Sequence, residues 1–319
     1  MKKIFLFGEC MVELLNVSPN NQLPQTLKQS FAGDVFNTAV YLKRVFSEMQ
    51  VNLITAVGTD ELSSNMVEYF SQQNIATDFV YRSNDKIAGL YSIKTDSEGE
   101  RTFTYWRENS AARDVMKFID ASETEKMLHG DVFFFSGISL AVIKPEDRPK
   151  FWLMVEQLKV AGLNIVFDPN YRARMWESVE EAQQQFNKAF TLSNIALPGI
   201  DDFKQLYNLT TAEDVIEFCK PYALDELVIK NGEKGVVCVK NKIIQNIEIT
   251  PVEDVVDTTS AGDSFNGVFL GACSSGINTI DAIKLASASA AVVIQHKGAI
   301  VDSKAFQTFI DQELLSIIK

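Results

Sequence analysis

Short runs of β-branched and aromatic residues alternate along this chain with segments of helical periodicity, and this alternation constrains the fold more than any other feature. Seven runs are candidate strands: 4–8, 51–58, 132–137, 164–168, 194–199, 226–232 and 235–240. Helical periodicity predicts helices over 34–49 and over 146–161. Strand–helix–strand units at this spacing imply right-handed crossovers. We therefore expect an α/β fold with a mostly parallel central sheet and helices on both faces.

Two segments break this rhythm. Residues 9–31 and 87–107 alternate in polarity with no helix between them. The stretch GLYSIKTDSEGERTFTYW is typical of a β-hairpin, with its turn from Asp96 to Gly99. We expect these two segments to form a small β-sheet that stands apart from the main sheet, within one domain over 1–319.

Composition limits the class of function. The chain has 319 residues, 46% of them hydrophobic, and a formal net charge of −12. An acidic chain without a basic run is a poor partner for nucleic acid or an anionic membrane. No apolar stretch is long enough to span a bilayer, and the start MKKIFLFGEC is better interpreted as a strand than as a signal peptide. The four cysteines show no CxxC spacing, so we expect reduced, buried thiols in a cytoplasmic protein: Cys10, Cys219, Cys238 and Cys273.

The stretch VVDTTSAGDSFNGVF (255–269) places small residues directly before an apolar helix. Its helical face consists of Phe265, Val268, Phe269 and Ala272. Ser260, Ala261 and Gly262 are small, so a ligand could approach their backbone N–H groups closely. Free N–H groups at a helix N-terminus favour a phosphate, and Asp263 would lie beside it. The alternative is that Asp263 only caps the helix.

Several catalytic motifs are absent. Gly262 and Gly267 have the spacing of Walker A glycines, but Val268 and Phe269 follow where that motif has Lys and Ser or Thr. The sequence has only two histidines and contains neither HExxH nor GxSxG. Phosphate chemistry without a P-loop is the interpretation that remains.

Three other stretches offer polar groups for such chemistry. The segment KNGEKG (230–235) predicts either a hairpin turn or a nucleotide loop. Asp34 and Asn37 lie one helical turn apart and could both reach hydroxyl groups, although Asp34 could instead be an N-cap. Arg107 and Arg172 each follow an aromatic residue at a strand end, where they could form surface salt bridges or bind an anion.

The motif DTTSAGDSF resembles the C-terminal signature of the ribokinase-like (pfkB) carbohydrate kinases, and FAGDVFNTAVYLKR resembles their N-terminal signature. The resemblance is closest to the 2-keto-3-deoxygluconate kinase branch. It extends over GECMVELL, GLYSIKTDSEGERTFTYWRENSAA, FSGISLAV, FDPNYRARMW and KNGEKG, and so over nearly the whole chain. It implies a ribokinase-like fold with a β-sheet lid, an ATP-dependent phosphotransferase and Mg²⁺ as its metal cofactor.

The resemblance also implies roles for individual residues. Asp263 would accept the proton of the sugar hydroxyl, and the N–H groups of Ala261, Gly262 and Asp263 would form an anion hole. The sugar-binding set would be Gly33, Asp34, Asn37, Tyr91, Tyr105, Arg107 and Arg172, with Arg107 on the sugar-acid carboxylate. The ATP-binding set would be Asn170, Lys230, Gly232, Gly235 and Ser260. No protein metal ligand is assigned.

The chain departs from the family pattern in several places. Ala32 replaces a common glycine, and Ser260 replaces the usual Gly or Ala. In LPGIDDF, Gly199 takes the place of an Asn, and Asp202 takes the place of a Glu linked to the Mg²⁺ and phosphate water network. Asp202 could help to hold hydrated Mg²⁺ or could only cap the following helix.

Two other functions stay open at this point. A fructokinase or ribokinase would act on a neutral sugar and have no use for the Arg107 guanidinium, and a non-catalytic sensor could have lost Asp263. We also expect the helix N-terminus to lower the pKa of Asp263 and make it a weak base. Exposed lid edges suggest a homo-oligomer that pairs through the lid.

Overall fold

The computed structural model describes residues 1–18, 23–95, 101–309 and 311–312. Within these ranges the strands are β1 (Lys3–Phe7), β2 (Met11–Asn16), β3 (Leu27–Ala32), β4 (Gln50–Val57), β5 (Val80–Arg82), β6 (Leu90–Thr95), β7 (Arg101–Trp106), β8 (Val132–Ser136), β9 (Asn164–Asp168), β10 (Ile195–Ala196), β11 (Glu226–Lys230), β12 (Val236–Lys240) and β13 (Ile243–Ile247). The helices are α1 (Asp34–Val45), α2 (Glu61–Gln72), α3 (Ala121–Met127), α4 (Gly137–Val142), α5 (Arg148–Val160), α6 (Val179–Leu192), α7 (Ile200–Tyr207), α8 (Ala212–Cys219), α9 (Ala261–Ser274), α10 (Thr279–Ile294) and α11 (Ser303–Phe309).

The main sheet confirms the predicted α/β architecture. Its strand order is β13-β12-β11-β10-β9-β8-β1-β4-β5, and every pair from β11 to β5 is parallel. β12 and β13 add an antiparallel edge. All seven candidate strands are present. The sequence analysis missed β5, which has only three residues, and β13, whose side chains are mostly exposed.

Helices cover both faces because the strands are apolar on both sides. In β1, Ile4 and Leu6 belong to a core cluster shared with α1, α9 and α10. Phe5 and Phe7 point the other way, into a cluster shared with α5 and α6. A strand that is buried on both faces is typical of a parallel sheet between two helical layers.

The smaller sheet forms the lid, with strand order β3-β2-β6-β7. β6 and β7 pair as an antiparallel hairpin, which confirms that part of the prediction. The expected turn, Asp96 to Gly99, lies outside the described residues. Alternation along these strands puts Tyr91 and Tyr105 on one face of the lid and Leu90 and Trp106 on the other.

Close packing of α1 against α9 brings two predicted site residues together. A Cβ at Gly267 would lie 2.3 Å from the carbonyl oxygen of Thr38, so only glycine permits this approach. Asn37 precedes Thr38 in α1, and Asp263 lies one turn before Gly267 in α9. The packing of the two helices therefore sets the distance between Asn37 and Asp263.

None of the helices in the described ranges is both long and apolar enough to cross a membrane. The four cysteines are free; three are buried as expected, whereas Cys273 is half-buried.

Candidate active site

A cavity of about 890 Å³ opens where the parallel strands end and the lid covers the sheet. Such crevices at the carboxyl ends of strands are where α/β folds bind ligands. The cavity is lined by all but two of the residues singled out from the sequence: Gly33, Asp34, Asn37, Tyr91, Tyr105, Arg107, Asn170, Arg172, Lys230, Gly232, Ser260, Gly262 and Asp263. Ala261 and Gly235 are outside this lining.

Asp263 occupies the first turn of α9 but does not cap it. The N-cap residue is Ser260, which has a left-handed backbone (φ 66°) and makes no side-chain cap. The Asp263 carboxylate instead accepts a hydrogen bond of 2.9 Å from Nδ2 of Asn37. The Asp263 side chain is thus held from a neighbouring helix and lies in the cavity wall.

The expectation that the helix N-terminus lowers the pKa of Asp263 is wrong. Burial of the carboxyl group, followed by the nearby carboxylate of Asp34, raises the pKa of Asp263 to about 7. The hydrogen bond from Asn37 offsets only part of that rise. Desolvation and like charge outweigh the helix field because both act on this group inside a cavity that contains several other carboxylates.

The anion hole consists of two of the three expected N–H groups. The N–H of Ala261 donates to the carbonyl of Thr258 at 3.3 Å, because the left-handed Ser260 folds the chain back into a tight turn. Among the described residues, no acceptor is found for the N–H of Gly262 or of Asp263. The first N–H groups of a helix lack intrahelical partners, so these two are available to an anion.

Asp34 is the first residue of α1, after the N-cap Gly33, so it is not the N-cap. Its carboxylate accepts hydrogen bonds from the hydroxyl of Ser136 at 2.5 Å and from Nδ2 of Asn170 at 3.1 Å. Burial raises its pKa. These contacts join the ends of β8 and β9 to the start of α1 on one side of the cavity.

A second polar network surrounds Asp168, which the sequence analysis did not single out. Its Oδ2 accepts from Nδ2 of Asn266 at 2.6 Å and from Nζ of Lys230 at 3.2 Å. Its Oδ1 is buried and has no hydrogen-bond partner within the described part of the chain. Asp168 ends the buried strand NIVFD, and a carboxylate at the end of a parallel strand is the signal that could have identified it.

Residues 230–235 are both a hairpin turn and part of the cavity wall. They connect β11 to β12, which pair antiparallel. Gly232 lines the cavity with φ 56°, and a Cβ added there would have no atom of the described residues within 4 Å. Gly235 has φ 92°, and a Cβ there would lie 2.3 Å from the carbonyl of Ile247. Gly235 therefore shapes the turn and does not line the cavity.

Asp202 lines the cavity and also caps α7. Its Oδ2 accepts from the N–H of Gly199 at 3.0 Å, and its Oδ1 accepts from the N–H of Tyr171 at 2.7 Å. Burial and the charge of Asp168 raise its pKa to about 6. Asp202 therefore caps α7, and its hydrogen bond from Tyr171 connects that helix to the segment after β9.

Arg107 of the lid is already paired with an acid that the sequence analysis missed. One guanidinium nitrogen forms an ion pair with Glu9, whose other carboxylate oxygen accepts from Ser110 at 2.5 Å. Glu9 is 2% exposed. The second nitrogen of Arg107 lies 3.5 Å from the sulfur of Met175, a weak acceptor, so that N–H remains usable by a ligand.

Two further arginines from the segment after β9, Arg172 and Arg174, line the same cavity. The Arg174 guanidinium lies 4.0 Å from the centroid of the Tyr105 ring, and Tyr105 stacks on Tyr91 at 5.5 Å. Arg172 and Arg174 are exposed, and neither has a carboxylate partner among the residues described. Their charges are uncompensated, unlike that of Arg107.

Comparisons with known proteins agree on one family. Residues 1–305 match the family model of the pfkB family carbohydrate kinases. The chain is 39% identical to a 2-dehydro-3-deoxygluconokinase of Haemophilus influenzae, over 96% of this chain and 97% of that protein. It is 35% identical to the enzyme of the same name from Escherichia coli K12, over 95% and 98%.

Solved structures share the fold. A 2-dehydro-3-deoxygluconokinase from Thermotoga maritima superposes with a TM-score of 0.84 at 20% identity, covering 97% of this chain and 98% of that one. A fructokinase with bound ATP from Xylella fastidiosa superposes with a TM-score of 0.81 at 19% identity, covering 98% and 99%. At these identities the similarity establishes the ribokinase-like fold alone.

The raised pKa of Asp263 has a measurable effect on stability. Its folded-state pKa of about 7 lies above the value near 4 of an unfolded aspartate, so the fold loses stability as the pH rises from about 4 to about 7, and the full penalty is present above pH 7. That penalty disappears as the pH falls and the folded carboxyl binds a proton. Asp263→Asn removes the penalty, so we expect its melting temperature to exceed that of the wild type at pH 8 and to converge with it as the pH falls to about 4.

The matched control is Asp201→Asn, because Asp201 lines the same cavity but is exposed. Thermal unfolding of that variant over the same pH range should show no rise above the wild type at pH 8. A melting temperature of Asp263→Asn that stays below the wild type at pH 8 would contradict the raised pKa.

Proposed function

This chain belongs to the pfkB family of carbohydrate kinases, and we propose that it transfers the γ-phosphoryl group of ATP to the 6-hydroxyl of 2-keto-3-deoxygluconate. The product is 2-keto-3-deoxy-6-phosphogluconate. The relatives at 35–39% identity carry the name of this activity over nearly their whole length. The observation that carries the proposal is the group of three arginines in the same cavity as Asp263.

The chemical step needs an acceptor for one proton. The sugar hydroxyl oxygen bonds to the γ-phosphorus, the bond from that phosphorus to the β–γ bridging oxygen breaks, and the hydroxyl proton passes to Asp263. A carboxyl with a pKa of about 7 is half ionised near neutral pH and is a better base than an ordinary aspartate. Asn37 orients the carboxylate through their hydrogen bond.

Phosphoryl transfer depends mainly on positioning and on stabilising the charge of the migrating group. The N–H groups of Gly262 and Asp263 are placed to receive its oxygens. Lys230, although hydrogen-bonded to Asp168, lines the cavity with its ammonium group near Gly262, whose added Cβ would lie 3.8 Å from Nζ. We therefore assign Lys230, Asn170, Gly232 and Ser260 to the ATP side of the cavity.

Magnesium fits this cavity as a companion of ATP. The described residues contain no group of three or more His, Cys, Asp or Glu side chains that could hold a metal ion. Mg²⁺ usually keeps several waters and is bound through phosphates with one or two carboxylates. Asp168, with its unpartnered Oδ1, and Asp202 would face the hydrated ion, which neutralises charge on the phosphates when bound.

The acid group of the sugar accounts for the arginines. Arg107 is oriented by buried Glu9 and keeps an N–H free for a carboxylate, whereas Arg172 and Arg174 contribute net positive charge. Gly33, Asp34 and Asn37, with Tyr91 and Tyr105 from the lid, remain for the hydroxyl groups. A neutral sugar would leave the Arg172 and Arg174 guanidinium groups without an anion.

The lid also offers a surface for self-association. Its outer face exposes Leu27 and Trp106, which are 45% and 58% accessible, beside a groove lined by Leu14 and Leu90. Exposed apolar patches next to strand edges are typical association surfaces. We propose a cytoplasmic homo-oligomer of single-domain subunits, residues 1–319, that pair through this face.

Asp263→Asn keeps the volume of the side chain and removes its proton acceptor. We expect kcat to fall by about 10²–10⁴-fold, the usual contribution of a general base, with the fold retained. Steady-state kinetics with saturating MgATP measures this, and Asp78→Asn, at an exposed position outside the cavity lining, should stay close to the wild type. Near-wild-type turnover in Asp263→Asn would remove this carboxylate from the mechanism.

Substrate preference tests the proposed activity directly. ADP release with MgATP should give a kcat/KM far higher on 2-keto-3-deoxygluconate than on fructose or ribose. Preference for fructose or ribose would keep the kinase chemistry but exclude the carboxylate site. Absence of turnover on all three would favour a sugar or nucleotide sensor.

The role of Arg107 needs a variant that leaves no buried charge unpaired. Arg107→Gln alone would leave the buried Glu9 carboxylate without its cationic partner. That variant should have a lower stability as well as a lower affinity for the substrate. In Glu9→Gln with Arg107→Gln, we expect KM for the keto acid to rise by about tenfold or more and kcat/KM for a neutral sugar to change little. An equal loss of kcat/KM on the keto acid and on the neutral sugar would contradict a contact between Arg107 and the substrate carboxylate.

The mass of the protein in solution tests the proposed pairing through the lid. Light scattering after gel filtration should give an oligomer for the wild type and the monomer mass for Trp106→Glu. The control is Ile243→Glu, because Ile243 is 62% exposed on β13, an edge strand of the main sheet that is not part of the lid. A monomeric wild type, or an unchanged oligomer in Trp106→Glu, would exclude pairing through this face.

A further inference from the structure

An ion pair joins the lid to the turn that precedes α9. Arg101 is the first residue of β7, and its guanidinium nitrogen lies 2.7 Å from the carboxylate of Asp257. The same nitrogen donates to the hydroxyl of Thr259 at 3.3 Å. The side chains of Arg101 and Asp257 are 19% and 5% exposed, so water screens the pair weakly.

Asp257 also organises the backbone around it. Its carboxylate accepts from the N–H of Thr259 at 3.1 Å and from the N–H of Gly298 at 2.7 Å. Its own N–H donates to the carbonyl of Ile294 at the end of α10. One carboxylate thus fixes the segment before α9 against the segment after α10.

The segment that Asp257 fixes leads directly into the anion-binding turn. Thr259 is followed by Ser260 in its left-handed conformation, and the free N–H groups of Gly262 and Asp263 follow. Arg101 lies on the cavity-facing side of β7, which it shares with Phe103 and Tyr105 by strand alternation. The strand that carries Tyr105 to the sugar therefore also reaches the turn that receives the phosphoryl group.

We propose that Arg101 is a positioning residue for phosphoryl transfer: through Asp257 it fixes the turn that presents the N–H groups of Gly262 and Asp263. This role rests on the proposed kinase chemistry, but it does not depend on which sugar is the substrate. Arg101 touches no reacting group itself. It makes the alignment of the phosphate side of the cavity depend on the position of the lid, which carries the sugar contacts.

The charge of Arg101 matters as much as its geometry. Without it, the Asp257 carboxylate would keep its backbone hydrogen bonds but would lie buried with no opposite charge, three residues before the turn that must receive an anion. A misplaced or repelled phosphoryl group slows the chemical step more than it weakens sugar binding, because the sugar contacts lie elsewhere on the lid.

The test compares Arg101→Met and Arg101→Lys with a control, Lys94→Met. Lys94 is exposed on the neighbouring strand β6, so this control removes the same charge from the lid without touching the turn. We expect Arg101→Met to lower kcat by about tenfold or more, with the sugar KM within about threefold of the wild type. Arg101→Lys should recover part of that loss, and Lys94→Met should match the wild type.

Hydrogen exchange provides a readout that needs no substrate. Amides of residues 258–264 should exchange faster in Arg101→Met than in the wild type or in Lys94→Met. A lower melting temperature with unchanged kcat and unchanged exchange in this segment would make the ion pair purely structural and overturn the proposal. If Arg101→Met does not fold, Arg101→Gln, which also removes the charge, carries both measurements, and wild-type values for that variant overturn the proposal equally.

The test of Arg101 does not depend on which sugar is the substrate. The kinetic comparison uses whichever sugar the wild type phosphorylates, so failure on the keto acid would reject the proposed substrate and leave the Arg101 test intact. A kcat loss shared by Arg101→Met and Lys94→Met would show that the lid charge, and not the link to Asp257, is responsible.

Discussion

The hydrogen bond from Asn37 to Asp263 is the contact on which the rest of the site depends. It joins α1 to α9, and it forms because Gly267 lets the two helices approach until Thr38 is in contact. The parallel sheet brings the starts of both helices to the same edge as the ends of its strands. The sugar-binding start of α1 and the phosphate-binding start of α9 thereby face one cavity.

Concentrating carboxylates at this edge has an energetic cost and a chemical use. Asp34, Asp168, Asp202 and Asp263 all line the cavity, and burial raises the pKa values of Asp34, Asp202 and Asp263. Ionised groups held this way destabilise the folded state at neutral pH. The same environment makes Asp263 a base that is matched to neutral pH, which a solvated aspartate is not.

Much of the architecture could be predicted from the sequence because it depends on local patterns. Periodicity identified seven of the nine strands of the main sheet, the lid hairpin and the start of α9. Motif chemistry identified 13 of the 31 residues that line the cavity. The Glu9–Arg107 and Arg101–Asp257 pairs could not be predicted, because their partners lie far apart in sequence and meet only in the folded chain.

The errors have physical causes as well. The helix N-terminus suggested an acidic Asp263, but the sign of its pKa shift depends on desolvation and on Asp34, which only tertiary structure brings near. Ala261 was expected to offer a free N–H, but the left-handed Ser260 closes a turn that engages it. Both cases concern groups whose surroundings come from several elements at once.

The pH dependence of kcat/KM tests the central claim, that a buried carboxylate with a raised pKa accepts the proton of the sugar hydroxyl. On a sugar that the enzyme phosphorylates, kcat/KM should decline as the pH falls through about 7, the pKa of Asp263 in the free enzyme. A profile that stays level down to about pH 5 and declines only near the ordinary aspartate value of about 4 would contradict the account.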